Sequence, residues 1–214
     1  MADYGELRQR FRDPAYAADY DRTRFGGLVG GVKNYSSLRL LQRCLDDVKP
    51  NGVVLDLPCG TGRLAALLRA RGLRAIGIDQ SAAMLAHARV HGMTNLVAAN
   101  AERLPIRDGA ADGVVSLRFF HYLSSDLRVR MLVEMARVTR RFAILEFRYR
   151  NPVRVVLRAA GRVVGIGGRR KSYPTLREIR AEVTGAGFEI TRIRYRPRCA
   201  SDTCLVVAVK NPSQ

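Results

Sequence analysis

The chain is poor in several residue types that mark particular classes of protein. It has no tryptophan, three histidines and four lysines, and its cysteines (Cys44, Cys59, Cys199 and Cys204) show none of the short spacings of a zinc site. Cys199 and Cys204 could meet across a hairpin, but reduced thiols are the default in the cytoplasm. The sequence also lacks the apolar core of a signal peptide and any run long enough to cross a membrane. We therefore expect a cytoplasmic protein without a bound metal.

Acidic residues are scarce as well. The 19 Asp and Glu residues stand against 37 Lys and Arg residues, which gives a net charge of +18. The 214 residues, 47% of them hydrophobic, suffice for one domain with an ordinary core. The excess of arginine has two explanations, a GC-rich genome or a phosphate-rich partner that guanidinium groups bind bidentately. Composition alone does not separate them.

The most informative part of the sequence is a predicted strand followed by a glycine turn and a helix. An apolar run at 53–57 contains Asp56 and leads into a turn with Gly60 and Gly62, after which leucines recur at helical spacing. Glycine at these two positions permits positive φ and lets the backbone approach a ligand closely. A helix that begins there presents free N–H groups and its positive dipole end to an anionic group.

A second apolar run, at 75–79, ends in Asp79, nineteen residues after Gly60. A carboxylate at the tip of the second strand is placed to accept hydrogen bonds from ribose hydroxyls, so the two runs predict a nucleoside-binding site. Gly60–Ala65 also satisfies the G-x-G-x-x-G/A pattern of dinucleotide-binding proteins. At this point NAD and other nucleoside cofactors both remain open.

Strand and helix patterns alternate along most of the chain, which predicts a parallel sheet with helices on both faces. The last two strand patterns are joined by a short loop and must be antiparallel. The prediction is an α/β fold with a doubly wound, mostly parallel seven-stranded sheet closed by a C-terminal antiparallel hairpin. The predicted strands are 53–57, 74–79, 95–99, 112–117, 141–147, 188–196 and 203–209, and the predicted helices are 34–48, 62–71, 82–91, 126–138 and 175–185.

The loop Asp56–Gly62, which reads DLPCGTG, resembles motif I of the class I S-adenosylmethionine (SAM)-dependent methyltransferases. The acid-ended second strand, the segment Asn100–Pro105 and the terminal hairpin are also similar to that family, and the resemblance extends over roughly residues 34–210. It implies SAM rather than a dinucleotide as the cofactor. Pro58 departs from the glycine often found there and removes one N–H donor.

The resemblance also implies the cofactor contacts. The glycine loop and Asp56 would hold the methionine part, Asp79 the ribose, and the residues after the second and third strands the adenine. Asn100 stands where the family usually has an acid, and its side-chain oxygen can still accept a hydrogen bond from the adenine amine. Met84 fits core packing as well as a ligand contact. The residues expected to contact SAM are Asp56, Pro58, Gly60, Thr61, Gly62, Asp79, Gln80, Met84, Asn100, Ala101 and Leu117.

The segment after the fourth strand carries candidate catalytic residues. Open α/β sheets bind ligands outside the carboxyl ends of their strands, so Arg118 and His121 should face the transferred methyl group. An imidazole can take a proton from an acceptor, which makes His121 a candidate general base; the alternative is a histidine that caps or packs the loop. Methyl transfer mainly needs alignment of the reactants, so the lack of an obvious base does not argue against activity.

Residues 1–33 are polar, aromatic and basic, and they precede the predicted domain at 34–214. Four glycines, at positions 26, 27, 30 and 31, argue against a regular helix across this segment. By resemblance the segment is a lid over cofactor and substrate, with Tyr20 in the substrate pocket. The alternative is a surface extension that packs its aromatic side chains on the core.

A basic insertion at about 148–175 contains no acidic residue. Pro152 can begin a helix in which Arg154, Arg158 and Arg162 form one stripe. Such a helix suits an anionic membrane surface, a substrate cap or nucleic acid; the alternative is a solvated helix with its arginine stems on apolar surface. A membrane contact would make the protein peripheral.

The sequence thus predicts a SAM-dependent methyltransferase acting on O, N or C of a small or lipid-like acceptor. One alternative is an RNA methyltransferase, which the net charge favours. Against it, no Asn-Pro-Pro-Tyr-type motif follows the fourth strand and no RNA-binding module is appended. Another alternative is a non-catalytic binding protein that retains the fold. The sequence does not indicate the oligomeric state.

Overall fold

A computed structural model describes residues 4–156, 173–197 and 201–211. Outside the N-terminal segment, its elements agree with the predicted ones to within a few residues. The helices are α1 (Tyr4–Arg12), α2 (Pro14–Phe25), α3 (Gly27–Val48), α4 (Ala65–Ala70), α5 (Ala82–Val90), α6 (Ser125–Val138), α7, of which residues 152–156 are described, and α8 (Leu176–Gly185), with a 3-10 helix at Phe120–Tyr122. The strands are β1 (Val53–Asp56), β2 (Arg74–Asp79), β3 (Leu96–Ala98), β4 (Ala111–Ser116), β5 (Thr139–Arg148), β6 (Phe188–Tyr195) and β7 (Thr203–Lys210).

Within the described residues, the seven strands form one sheet in the order β3-β2-β1-β4-β5-β7-β6. Strands β1 to β5 pair in parallel, and β7 lies antiparallel to both β5 and β6. The predicted doubly wound sheet with its closing antiparallel hairpin is therefore confirmed. The strand order changes direction between β1 and β4, which is where the carboxyl ends of an open α/β sheet form a ligand crevice.

Both faces of the sheet are covered by apolar side chains. On one face Met131 of α6 and Ile179 of α8 are fully buried, and on the other face Leu41, Leu45 and Leu68 from α3 and α4 are fully buried. Full burial of such a side chain stabilises the fold by about 1.5–3 kcal/mol relative to exposure. This two-sided burial explains why the strands read as near-continuous apolar runs.

Gly113 shows how tightly the central strands pack. It pairs with Phe142 on the neighbouring strand β5, and a Cβ at Gly113 would lie 2.2 Å from the Cζ atom of the Phe142 ring. The ring therefore occupies the space that any larger side chain would need. Glycine is needed at this strand position because a side chain would clash with Phe142, and not because of its backbone conformation.

As expected, no single helix spans the described residues 4–33, but the segment is more regular than its glycines suggest, because nearly all of these residues lie in α1, α2 or the start of α3. Asp13 caps α2 through its side chain. Gly26 separates α2 from α3, Gly27 is the first residue of α3, and Gly30 and Gly31 lie inside it. A glycine inside a helix costs about 1 kcal/mol relative to alanine, which the packed remainder of this 22-residue helix offsets. The domain boundary expected between residues 33 and 34 falls within this helix.

Only the two ends of the basic insertion, residues 148–156 and 173–175, are described. The Nε atom of Arg154 lies 3.2 Å from a carboxylate oxygen of Asp202, so the first arginine of the predicted stripe is ion-paired with the segment before β7. Arg158, Arg162 and Cys199 lie outside the described residues. Across the described ranges, no helix is both long enough and apolar enough to span a bilayer.

Candidate active site

A cavity opens at the carboxyl ends of β1, β2 and β4, beneath the first three helices. The empty space in and around it, with the solvent-open part included, is about 1120 Å³. Most of its lining is apolar or aromatic, which is typical of small-molecule sites. The charged side chains that line it are Asp56, Arg63, Asp79 and Arg118.

Two glycines with positive φ shape the loop between β1 and α4, and they do so for different reasons. Gly60 (φ +53°) donates its N–H to Asp79 at 2.9 Å, and a Cβ there would meet nothing within 4 Å. Its backbone therefore borders open space in the cavity. Gly62 (φ +77°) is packed instead, because a Cβ there would lie 2.8 Å from the Cα atom of Ala88 on α5.

Asp79 is buried at the end of β2 and organises the two loops beside it. Its carboxylate accepts the N–H of Gly60 and the N–H of Ser81, each at 2.9 Å. Burial raises the pKa of Asp79, and these backbone hydrogen bonds oppose that rise. A carboxylate has about four lone-pair sites, so Asp79 can still accept hydrogen bonds from a ligand hydroxyl.

Asp56, at the end of β1, has a different environment. It is 2% exposed, and its Oδ2 atom has no hydrogen-bond partner in the described part of the chain. Burial raises the pKa of Asp56 well above its usual range, and the nearby charge of Asp79 raises it further. A buried carboxylate oxygen that lines a cavity without a partner is a candidate site for a cationic ligand group.

Helix α2 is attached to the glycine loop through Asp21, a contact that the sequence pattern did not reveal. Asp21 accepts hydrogen bonds from the Thr61 hydroxyl at 2.9 Å and from Arg63 at 3.2 Å. Its other carboxylate oxygen lies 3.8 Å from Nδ1 of His91, and the same ring nitrogen lies 2.6 Å from the Thr61 carbonyl oxygen. Forty residues separate Asp21 from Thr61, so no local spacing could have indicated this contact.

Helix α1 is attached to the opposite side of the cavity, at the loop after β2. The Ser81 hydroxyl donates a hydrogen bond to the Phe11 carbonyl at 2.6 Å. The Arg8 guanidinium donates one to the Gln80 side chain at 2.7 Å. The N-terminal helices are therefore fixed to two of the loops that line the cavity.

Between these attachments lies an aromatic cover, formed by Phe11, Tyr16, Tyr20, Phe25 and Tyr122. Neighbouring rings meet edge to face, with centroids 5.6–6.2 Å apart. Edge-to-face aromatic pairs contribute about 0.5–1.5 kcal/mol each beyond the area they bury. Burial raises the pKa of Tyr20 to about 12, so its hydroxyl stays protonated at neutral pH.

The structure brings most of the predicted site residues together. The residues that line the cavity are Asp56, Pro58, Gly60, Thr61, Asp79, Gln80, Met84, Ala101 and Leu117 from the predicted cofactor set, and Tyr20 and Arg118 from the predicted catalytic set. Gly62, Asn100 and His121 do not line it. In the described ranges, no group of His, Cys, Asp and Glu side chains could hold a metal ion.

Asn100 is directed towards its own turn, which corrects the expected adenine contact. Its side-chain oxygen accepts the N–H of Glu102 at 3.1 Å, and its backbone forms an isolated bridge with Arg103. A side chain of this type often bonds the nearby backbone in preference to a distant group. Ala99, the preceding residue, lines the cavity instead.

His121 lies on a second cavity and not on the first. Its ring lies 3.9 Å from the Tyr122 ring, centroid to centroid, within the 3-10 helix. This second cavity lies beside α6 and α8, and Arg128 and Glu182 also line it. The 3-10 turn thus points Tyr122 into the first cavity and His121 away from it, so we assign His121 no part in the chemistry of the first cavity.

Comparisons with known proteins agree with this arrangement. A family model described as a methyltransferase domain matches residues 54–141. The chain is 32% identical over 210 residues to malonyl-[acyl-carrier protein] O-methyltransferase of Geobacter sulfurreducens, which covers 90% of this chain and 73% of that protein. It is 32% identical over 99 residues to probable tRNA methyltransferase 9B of Mus musculus, which covers 46% of this chain and 22% of that protein.

Among solved structures, the fold is similar to magnesium protoporphyrin IX methyltransferase (ChlM) of Synechocystis PCC 6803 with bound SAH. The TM-score is 0.76 at 21% sequence identity, and the alignment covers 98% of this chain and 100% of that one. This likeness concerns the fold.

Proposed function

The chain belongs to the class I SAM-dependent methyltransferases, and from that membership we propose that it transfers the methyl group of SAM to a small molecule bound in the cavity described above. One observation carries the proposal. Two buried carboxylates, Asp56 and Asp79, flank a glycine loop whose Gly60 backbone borders open space. SAM presents an ammonium group, ribose hydroxyls and an adenine, and each of these groups has a fitting side chain in the lining.

The residues present fit SAM at three points. The partnerless Oδ2 atom of Asp56 would accept a hydrogen bond from the ammonium group of the methionine part. The free lone pairs of Asp79 would accept hydrogen bonds from the ribose hydroxyls. Gln80, Met84 and Ala101 lie beyond Asp79 in the lining and would surround the adenine.

SAM supplies a methyl group that is already activated by its sulfonium leaving group. The part left to the protein is to hold the nucleophile in line with that methyl group and to keep water out. Alignment of this kind can contribute about 7–11 kcal/mol to lowering the barrier. The aromatic cover would keep water out, because four of its five rings line the cavity and the Phe25 ring lies against Arg118.

A small acceptor is supported by the shape and chemistry of the cavity. The space lies beneath α1 to α3 and is mostly apolar, whereas a nucleotide within an RNA chain would need an open, basic approach. The Geobacter sulfurreducens relative carries a name that specifies oxygen as the methylated atom. Binding of the basic insertion to a membrane surface or to nucleic acid stays a prediction, because most of its arginines lie outside the described residues.

Replacement of Asp56 by asparagine tests the proposed ammonium contact. The variant keeps the size of the side chain but removes its charge, so we expect affinity for S-adenosylhomocysteine (SAH) to fall about tenfold or more. Methylthioadenosine, which shares the nucleoside but lacks the amino-acid part, should bind wild type and variant equally. Isothermal titration calorimetry measures both affinities. An equal loss for both ligands, or no loss for SAH, would contradict the assignment of Asp56.

A further inference from the structure

Arg118 has an unusual backbone conformation, two residues after the end of β4, where the chain lines the cavity. Its φ is +58°, in the left-handed region that non-glycine residues seldom adopt because it is strained. The half-buried side chain lines the cavity, and its guanidinium carbon lies 4.1 Å from the centroid of the Phe25 ring. Such strain persists where the surrounding structure imposes it, and it is concentrated at functional sites.

The positive charge around Arg118 is only partly balanced. A second guanidinium, that of Arg63, lies 3.4 Å from the centroid of the same Phe25 ring and is ion-paired with Asp21. No carboxylate within the described ranges lies within ion-pair distance of Arg118. The buried carboxylate of Glu146 attracts it from farther away. Arg196 and Arg148 also interact electrostatically with Glu146. One negative charge therefore faces three arginines, and the surroundings of Arg118 keep an excess of positive charge.

Among the described residues that line this cavity, none is suited to taking a proton from an acceptor once Asp56 and Asp79 are assigned to SAM. Burial raises the pKa of Tyr4, and it raises that of Tyr20 to about 12. Burial also raises the pKa of the Cys59 thiol. These groups stay protonated at neutral pH, and Asp56 and Asp79 are the residues that we assign to SAM. An alcohol, a phenol or an acidic carbon would need a base here, whereas a group that is already anionic would not.

We propose that the acceptor is the carboxylate of a largely apolar molecule, that Arg118 binds this carboxylate through its guanidinium group, and that the product is a methyl ester. This inference rests on the proposed function. A lone pair on the carboxylate oxygen forms the new O–CH₃ bond while the S–CH₃ bond breaks and its electron pair stays on sulfur. No proton moves, and the carboxylate and the sulfonium are both converted to neutral groups.

Arg118 acts here as a positioning residue. The guanidinium fork matches the two oxygens of a carboxylate, and Arg118 lines the apolar space that would hold the remainder of the acceptor. The neutral ester no longer forms the ion pair, so the product is held less tightly than the acceptor. The main effect of Arg118 should therefore be on KM for the acceptor and only secondarily on kcat.

The test uses the full chain, SAM carrying a labelled methyl group, and dodecanoate, 4-phenylbutyrate and indole-3-acetate with their matched alcohols. We expect wild type to form base-labile methyl esters from at least one acid and no product from the alcohols. Arg118→Gln should raise KM for that acid by about tenfold or more, with a smaller change in kcat. Arg107→Gln, at an exposed arginine, is the matched control and should leave both constants unchanged.

Three results would overturn the proposal. The first is methylation of alcohols but not acids. The second is a folded wild type that binds SAH but neither binds nor methylates any of the acids. The third is a loss of SAH affinity in Arg118→Gln with methylthioadenosine binding unchanged, which would assign the arginine to the carboxylate of SAM itself. A wild type that binds no SAH contradicts the proposed function instead, so the two failures are distinguishable.

Discussion

Replacement of Asp79 by alanine should abolish most of the affinity for SAH, with a loss of about tenfold to a hundredfold. The substitution removes the acceptor for the ribose hydroxyls, and hydrogen bonds to a charged group are each worth about 1.5–3 kcal/mol. It also leaves the N–H groups of Gly60 and Ser81 without their present partner, so the loops on both sides of the site lose their common anchor. Calorimetric titration with SAH measures the loss.

Methylthioadenosine makes this experiment specific. It retains the ribose, so Asp79→Ala should weaken it as much as SAH, in contrast to Asp56→Asn. Asp126→Ala is the matched control, because Asp126 is exposed in the first turn of α6, away from the cavity. Binding of SAH within about threefold of wild type, in a variant that is folded by circular dichroism, would refute the assignment of the ribose to Asp79.

Replacement of Glu182 by glutamine should lower the free energy of unfolding by about 3–5 kcal/mol. Glu182 on α8 and Arg128 on α6 form a bidentate ion pair, in which the guanidinium nitrogens lie 2.5 and 2.7 Å from the two carboxylate oxygens. Glu182 is 8% exposed and Arg128 is 9% exposed. The same carboxylate accepts the Ser125 hydroxyl at 2.7 Å, and Arg128 also donates to the Leu123 carbonyl at 2.9 Å. Loss of the negative charge leaves a buried guanidinium uncompensated, which is the costly outcome.

Urea unfolding of this variant measures the effect, and two further variants make it interpretable. Glu189→Gln changes an exposed glutamate on β6 and should be close to neutral. The double variant Arg128→Met, Glu182→Leu removes both charges and should recover much of the loss, because well-packed apolar residues can replace a buried ion pair. A change of less than about 1 kcal/mol in Glu182→Gln would show that the pair does not hold α6 to α8.

The sheet was predictable because its strands are buried on both faces. That burial requires near-continuous apolar runs such as 53–57, and such runs are visible without knowledge of their neighbours. The cofactor loop was predictable for a similar reason, since Gly60 needs positive φ and Asp79 must stand at the tip of its strand. Both are local requirements on residue type.

The parts that escaped prediction depend on tertiary contacts. The glycines near residue 30 predicted an irregular chain, but packing of the later turns of α3 carries the helix through them. Asp21 reaches Thr61 across forty residues. The orientation of His121 follows from one 3-10 turn. From sequence alone, either His121 or Tyr122 could have been assigned to the first cavity.

We propose that this cavity binds SAM and not a dinucleotide, although the glycine pattern at Gly60–Ala65 is compatible with both. Calorimetric titration of the wild-type chain with SAH and, separately, with NADH decides between them. We predict saturable binding of SAH at one site per chain and no binding of NADH. Binding of NADH, or a folded protein that does not bind SAH, would contradict it.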